Sequence, residues 1–268
     1  MNFFKNIFKP KEKEDIILDC YTYLPYVYET AKIDYAYKFI PAWWKDTPKF
    51  INNKSEASIK NCLALKEYFK TGIVIPAWFG LQLKIHPLDQ PEGMTYSYQA
   101  STSYFKDISH PISQYSLFAE HNKVNFKIHS PWMIKCQEPI NFVWSHPLYN
   151  LSKLSDKNFD IMPAVVNYKY QHDTNINAIL TQEKETETNL EIEPLSPLVM
   201  IHPMSDRRVT FRYHLVSEED WYQKNSIQQY VFDNTVDEVS RMYQNKKKIK
   251  NKIEKINNTK CPFHGEKK

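Results

Sequence analysis

The chain has 268 residues, 42% of them hydrophobic and 15% aromatic, enough for one large or two small domains with a sizeable core. Only 4 glycines stand against 16 prolines, which argues against glycine-rich phosphate loops and leaves the corners to proline and asparagine. The net charge of +4 is unevenly placed: residues 246–268 hold nine lysines and two glutamates, leaving the first 245 residues at −3, so the body is not a basic nucleic-acid-binding domain.

In chain order, residues 1–15 read as a flexible N-terminal segment. Without a long apolar h-region or a small-residue cleavage site, they do not form a secretory signal. Phe3, Phe4, Ile7 and Phe8 suit docking on the protein's own body or on a partner, or contact with a membrane surface. Ile16–Tyr28 is rich in β-branched and aromatic residues and predicts a strand or hairpin interrupted at Pro25. Ile33–Trp44 ends in IPAWW, and the tetrapeptide IPAW returns at Ile75–Trp78, each copy an aromatic plug with its proline at a strand edge or bend. A helix is expected over 55–70, N-capped by Ser55 or Ser58 and stopped at Thr71-Gly72. It delivers the chain into a half-buried strand in which Leu81, Leu83 and Ile85 alternate with Gln82 and Lys84.

Beyond a turn-like DQPEG, strands are expected at Met94–Tyr104, Val124–His129 and Trp132–Gln137, the last two separated by a bend at Ser130-Pro131. Ile140–Ser145 is expected to pair with its predecessor as a hairpin. Asn150–Asn158 is loop-like. Further strands are predicted at Ile161–Tyr168, Ile176–Leu180, Leu190–Ile192, Leu198–His202 and Val209–Val216. Many short strands with proline and asparagine corners indicate a mainly β, α+β class: a β-sandwich, jelly roll or β-clip core over 16–216 with one embedded helix. Ser217-Glu-Glu-Asp220 is a capping-box variant opening a C-terminal helical arm over 217–258, followed by a disordered tail at 259–268. No run of eighteen apolar residues occurs, so no membrane span is expected.

Five blocks resemble a family of uncharacterised tailed-phage proteins, notably those of marine cyanophages. They are IPAWWKDTPKF (Ile40–Phe50), NCLALKEYFKTGIVIPAWFG (Asn61–Gly80), Ser130–Asn150, DIMPAVVNYKY (Asp160–Tyr170) and Ile192–Arg208. The resemblance spans most of residues 20–215 and implies a phage origin, with the host cytoplasm or the virion as location; it brings no activity. The last two blocks are also similar in outline to trimeric dUTPases, whose G-V-I-D-x-D-Y strand supplies a catalytic aspartate. The corresponding run here puts Asn167 in that place. An amide has no proton-accepting carboxylate, so what carries over is the fold and not the chemistry.

Among candidate sites, Arg207 and Arg208 with Arg212 form a compact arginine group suited to a carboxylate, a phosphate or a subunit interface, or to structural salt bridges. Trp43, Trp44, Trp78 and Trp132, with Trp144 and Trp221, could fill the core or build an interface. Lys246, Lys247, Lys248, Lys250 and Lys252, with Lys255, could meet nucleic acid without sequence preference or an acidic phage surface, or form a solvated helix end. Cys261 and His264 make a CxxH half-site for a metal; zinc wants four ligands and no second pair lies nearby. Histidines before proline (His86, His110, His146, His202) lack the H-x-D or H-x-E spacing of a facial metal set and read as strand-end residues. Cys20, Cys62, Cys136 and Cys261 form no CxxC pair and read as free thiols.

These features favour a non-enzymatic phage protein acting through protein–protein binding, as a homo-oligomer or virion component, with no cofactor. Two alternatives stay open. One is a nucleotide-binding or hydrolytic enzyme on a dUTPase-like fold using carboxylates such as Asp160 or Asp173; the other is a nucleic-acid-associated factor using the basic tail.

Overall fold

A computed structural model describes residues 14–87, 96–104, 107–109, 123–149, 159–170, 173–181 and 186–223. The DQPEG turn, the loop at 150–158, the tail lysines, Cys261 and His264, residues 1–13 and the arm beyond 223 lie outside the described residues.

The chain enters through β1 (Ile16–Thr22), which buries Ile16, Leu18 and Cys20 on one side. Pro25 then opens a helix, α1 (Pro25–Thr30), rather than interrupting a hairpin. Proline suits a first helical turn because the missing N–H would have no intrahelical partner there. After β2 (Asp34–Tyr35) a 3-10 turn at Ala36–Phe39 leads to α2 (Ala42–Asp46). The first IPAW copy thus enters a helix, whereas the second supplies the last two residues of β5 (Ile73–Pro76) and leaves the strand at Ala77. One tetrapeptide takes two conformations because tertiary burial overrides local preference.

The helix expected over 55–70 is shorter. Asn52, Asn53 and Lys54 have φ of 48°, 56° and 73°, a left-handed run that breaks any helix and folds β3 (Phe50–Ile51) back onto β4 (Glu56–Ala57). Ser58 caps only a 3-10 turn at Ile59–Asn61, accepting from the Lys60 N–H. The helix proper, α3, runs Leu63–Thr71.

Next come β6 (Leu81–Ile85), β7 (Tyr96–Ala100), β8 (Asp107–Ser109), β9 (Lys123–Cys136), β10 (Asn141–Ser145), β11 (Phe159–Ile161) and β12 (Ala164–Asn167). They are followed by β13 (Asp173–Thr181), β14 (Thr188–Ile192), β15 (Pro197–Pro203) and β16 (Val209–Leu215). The protein is therefore mainly β, of the α+β class, with several antiparallel sheets.

The first sheet runs β11-β13-β9-β1-β16, with β8 on β9. Its spine, β9, passes through Ser130-Pro131 without the expected bend. Two surplus β9 residues are absorbed where Asp173↔Met133 gives way to Asn175↔His129. This bulge accommodates a proline that cannot donate to the ladder. It lies where pairing on the other side of β9 passes from β8 to β1. β1 and β16, near the two ends of the core, pair in parallel from Ile16↔Val209 to Thr22↔Leu215.

The second sheet runs β12-β10-β15-β5-β2. β10 pairs with β12 and β15, so the expected hairpin with β9 does not form; the turn at Glu138-Pro139 carries the chain to another sheet. Pro163 similarly splits the single strand expected at 161–168 into β11 and β12, in different sheets. The third sheet is β14-β6-β7. The alternation predicted for Leu81–Ile85 is observed residue for residue.

All three sheets contribute to one core that includes Phe126, Trp132, Phe142, Trp144 and Tyr168. The second sheet also buries its other face. Ile73 and Ile75 join the main core, while Val74 and Met200 join a second cluster with Ala36, Trp44 and Phe69. A strand covered on both faces reads as an unbroken apolar run, which Ile73-Val-Ile75 is. Each such side chain contributes about 1.5–3 kcal/mol by leaving water.

Gly72 lets α3 approach that sheet. A Cβ there would lie 2.7 Å from the Tyr68 carbonyl oxygen and 2.9 Å from both Ala36 Cβ and Met200 Sδ. Its φ of −69° shows that closeness, not a left-handed turn, is what requires glycine. Gly72→Ala should therefore destabilise by about 1–3 kcal/mol by overpacking. Urea unfolding would show this as a lower midpoint with an unchanged slope.

Candidate binding surface

The parallel β1–β16 pair sets Asp19 beside Arg212 and Tyr21 beside His214. Asp19 accepts from Arg212 Nε at 2.8 Å and Nη2 at 2.7 Å, and lies 2.9 Å from His214 Nε2. His214 stacks on Tyr21 with centroids 4.4 Å apart, and Lys135 Nζ sits 5.4 Å from the Tyr21 ring. Burial pushes the Asp19 carboxyl up, but the hydrogen bonds and charge interactions with Arg212 and His214 together outweigh it and hold the carboxyl below its ordinary value. Both carboxylate oxygens are engaged, so this group acts as a clasp between the first and last strands of the core.

Arg207 forks onto the Glu138 carboxylate, Nη2 donating to Oε1 at 2.8 Å, and also reaches the backbone carbonyls of Glu14 and Asp15. Arg208 lies near Tyr35, whose hydroxyl donates to the Val209 carbonyl at 2.7 Å. Arg207 and Arg212, expected with Arg208 as one cluster, are thus directed to different carboxylates of this chain, the structural salt-bridge use among those open to them.

The tryptophans divide in the same way. Trp44, Trp78, Trp132 and Trp144 are buried and belong to the core, so of the two uses open to them it is core filling that the fold makes, and Trp44, Trp78 and Trp132 present no exposed face for an interface. Trp132 Nε1 donates to the Ala31 carbonyl at 3.0 Å, and Trp144 Nε1 to the Tyr168 hydroxyl at 2.9 Å. Trp43 is half-buried and donates to the Tyr149 carbonyl at 2.9 Å.

His146 accepts the Ile161 N–H at its Nδ1, and His202 Nε2 lies 3.0 Å from the Tyr68 carbonyl, to which it must donate. Burial lowers both imidazoles below their ordinary 6.5, against a smaller opposing pull from Asp160 on His146 and from the Tyr68 carbonyl on His202. Among the described residues, no group of three or more His, Cys, Asp or Glu side chains gathers to hold a metal ion, and no helix is long and apolar enough to cross a membrane. Asn167, at the place of the dUTPase aspartate, spends its amide on Asn141 Oδ1 at 2.9 Å and on the Lys169 N–H.

The insert between β2 and β5 has an inner and an outer side. Its inner residues Ala36, Trp44 and Phe69 cover the second sheet, while Tyr37, Phe50, Ile51, Ile59 and Leu63 are exposed, Phe50 by 52% and Leu63 by 74%. Beside them lies a cavity of about 240 Å³ lined by Tyr37, Ile40, Trp44, Lys66, Phe69 and Lys70. A second cavity, of about 250 Å³, lies on the third sheet, with Gln82, Gln99, Ser101 and Glu191 among its lining residues.

Sequence reasoning missed the Asp19–His214 contact, because 195 positions separate the partners. The available signal was period-two spacing, which sets Asp19 with Tyr21, and Arg212 with His214, on one face each; it could not say that the two strands pair. It also missed the lysine-lined cavity, although Lys66 and Lys70 stand four apart on a helix. In comparisons with known proteins, no family model matches the chain and no curated protein matches it.

Two stability tests follow from the charges. The Asp19 contribution is present above its unfolded value of 3.8 and is lost as pH falls through the lower folded value. Asp19→Asn should therefore lower the melting temperature at pH 7, and the gap from wild type should close toward pH 2. For His146 and His202 the unfolded chain takes up the proton first, so stability falls with acidification below pH 6.5. His202→Gln should lower stability at pH 7 yet make the decline below pH 6.5 shallower in chemical denaturation.

Proposed function

We propose that this chain is a non-enzymatic protein that acts through protein–protein binding, self-associating or joining a larger assembly. The carrying observation is the run of exposed apolar side chains Phe50, Ile51, Ile59 and Leu63 on an insert whose other side is fixed to the core. Large apolar side chains grouped at a surface are the usual mark of an interaction site. The hairpin bearing two of them is exposed along its whole length, from Phe50 to Ala57. The tailed-phage setting, with the host cytoplasm or virion as location, rests on the resemblance of the blocks between residues 20 and 215.

Light scattering across concentrations tests the reading. The wild-type chain should exceed 32.0 kDa, and Leu63→Glu should return it to the monomer mass. Leu63 is the first residue of α3, where a carboxylate favours the helix, so the variant should keep its melting temperature. A monomer at all concentrations, or a mass unmoved by Leu63→Glu, contradicts self-association through this surface and leaves the reading to stand on a different partner.

A further inference from the structure

Resting on the protein-binding reading above, we propose that the cavity between α2 and α3 receives an acidic segment of a protein partner. One apolar side chain enters the cavity, and flanking carboxylates meet Lys66 and Lys70.

The cavity itself argues for a single side chain. At about 240 Å³ it falls below the roughly 300–1,000 Å³ of sites that enclose a whole small ligand. Its floor is Trp44 and Phe69, which are 6% and 3% exposed, with Tyr37 and Ile40 beside them. An anchor seated there would bury apolar surface against aromatic rings, the arrangement found at the centre of tight interfaces.

Charge names the neighbours of that anchor. Lys66 and Lys70 stand one helical turn apart and both line the cavity. They can therefore meet carboxylates on either side of one anchor. Among the described residues, Lys66 makes no ion pair, and the Lys70–Glu67 pair at 3.2 Å joins side chains that are 71% and 59% exposed. Such a pair is weakly held and free to exchange. The insert from Ala36 to Gly72 carries seven lysines and three acidic residues, a net +4, while the rest of the first 245 residues comes to −7. A basic surface on an acidic body attracts acidic partners and orients their approach.

The same observations weigh against nucleic acid and lipid. Base stacking spreads over several exposed aromatic faces; here Trp44 and Phe69 form the cavity floor and, of the lining rings, Tyr37 alone is exposed. An interfacial membrane contact presents an apolar face flanked by lysines; here two lysines line the concavity itself.

Fluorescence polarisation on the full chain provides the test, with three labelled pentapeptides. The first has a central tryptophan between paired glutamates, the second the same tryptophan between paired lysines, and the third a central glycine between paired glutamates. The first should bind at least tenfold more tightly than the other two. Lys66→Glu with Lys70→Glu should reverse the order of the first two, and the paired glutamine variant should level them. All variants should keep the wild-type melting temperature, since both lysines are exposed. Equal binding of the glutamate and lysine peptides, an order unchanged by the double variant, or displacement by phosphatidylglycerol vesicles or oligothymidylate would overturn the proposal. If peptide binding fails while Leu63-dependent self-association persists, only the acidic occupant is wrong. If both fail, the protein-binding reading falls with it.

Discussion

A sheet that must be covered on both faces governs this structure. β5 alternates between two cores, Ile73 and Ile75 to one side and Val74 to the other, and β15 sends Leu198, Val199 and Ile201 to the first and Met200 to the second. Left bare, the second face would expose Val74 and Met200 to water, at a cost of about 1.5–3 kcal/mol for each side chain. The insert between β2 and β5 covers it, and Gly72 permits the close approach that makes the cover fit. Because the inner side of that short insert is spent on packing, its outer side carries Tyr37, Phe50, Ile59, Leu63 and the lysines. The candidate surface is thus a consequence of how the core is closed.

The ionic groups serve the same closure by other means. A core whose first and last strands are parallel neighbours cannot join them through a tight hairpin. Asp19, clasped by Arg212 and His214, and Arg207, forked onto Glu138, tie that junction from the side. The arginines are strong bidentate partners, as their chemistry suggests, but their carboxylates come from this chain.

Much of the strand inventory was legible because alternation and β-branched runs are local signals. β6, β13, β14, β15 and β16 each lie where period and composition placed them. The failures were of context. IPAW is helical at its first copy and extended at its second because the two meet different burial. Ser130-Pro131 looked like a bend because proline removes a ladder hydrogen bond, yet a bulge on β9 absorbs it. Ser55 and Ser58 looked like helix caps, but the left-handed run at Asn52–Lys54 had already turned the chain. The tryptophans carried no signal separating core from interface, since either use asks for the same large rings. The basic tail, from Lys246 onward, lies outside the described residues and stays an expectation of the sequence.

Amide hydrogen exchange on the full chain, with and without the glutamate-flanked tryptophan peptide, tests most directly whether one insert both seals the core and receives a partner. In the free protein, amides of β5 and β15 should exchange only with global opening and those of 50–57 should exchange fast. The peptide should slow exchange between residues 37 and 70 and leave β1 and β16 unchanged. Fast exchange in β5 without ligand, or protection that appears on β1 and β16 instead, would contradict the account.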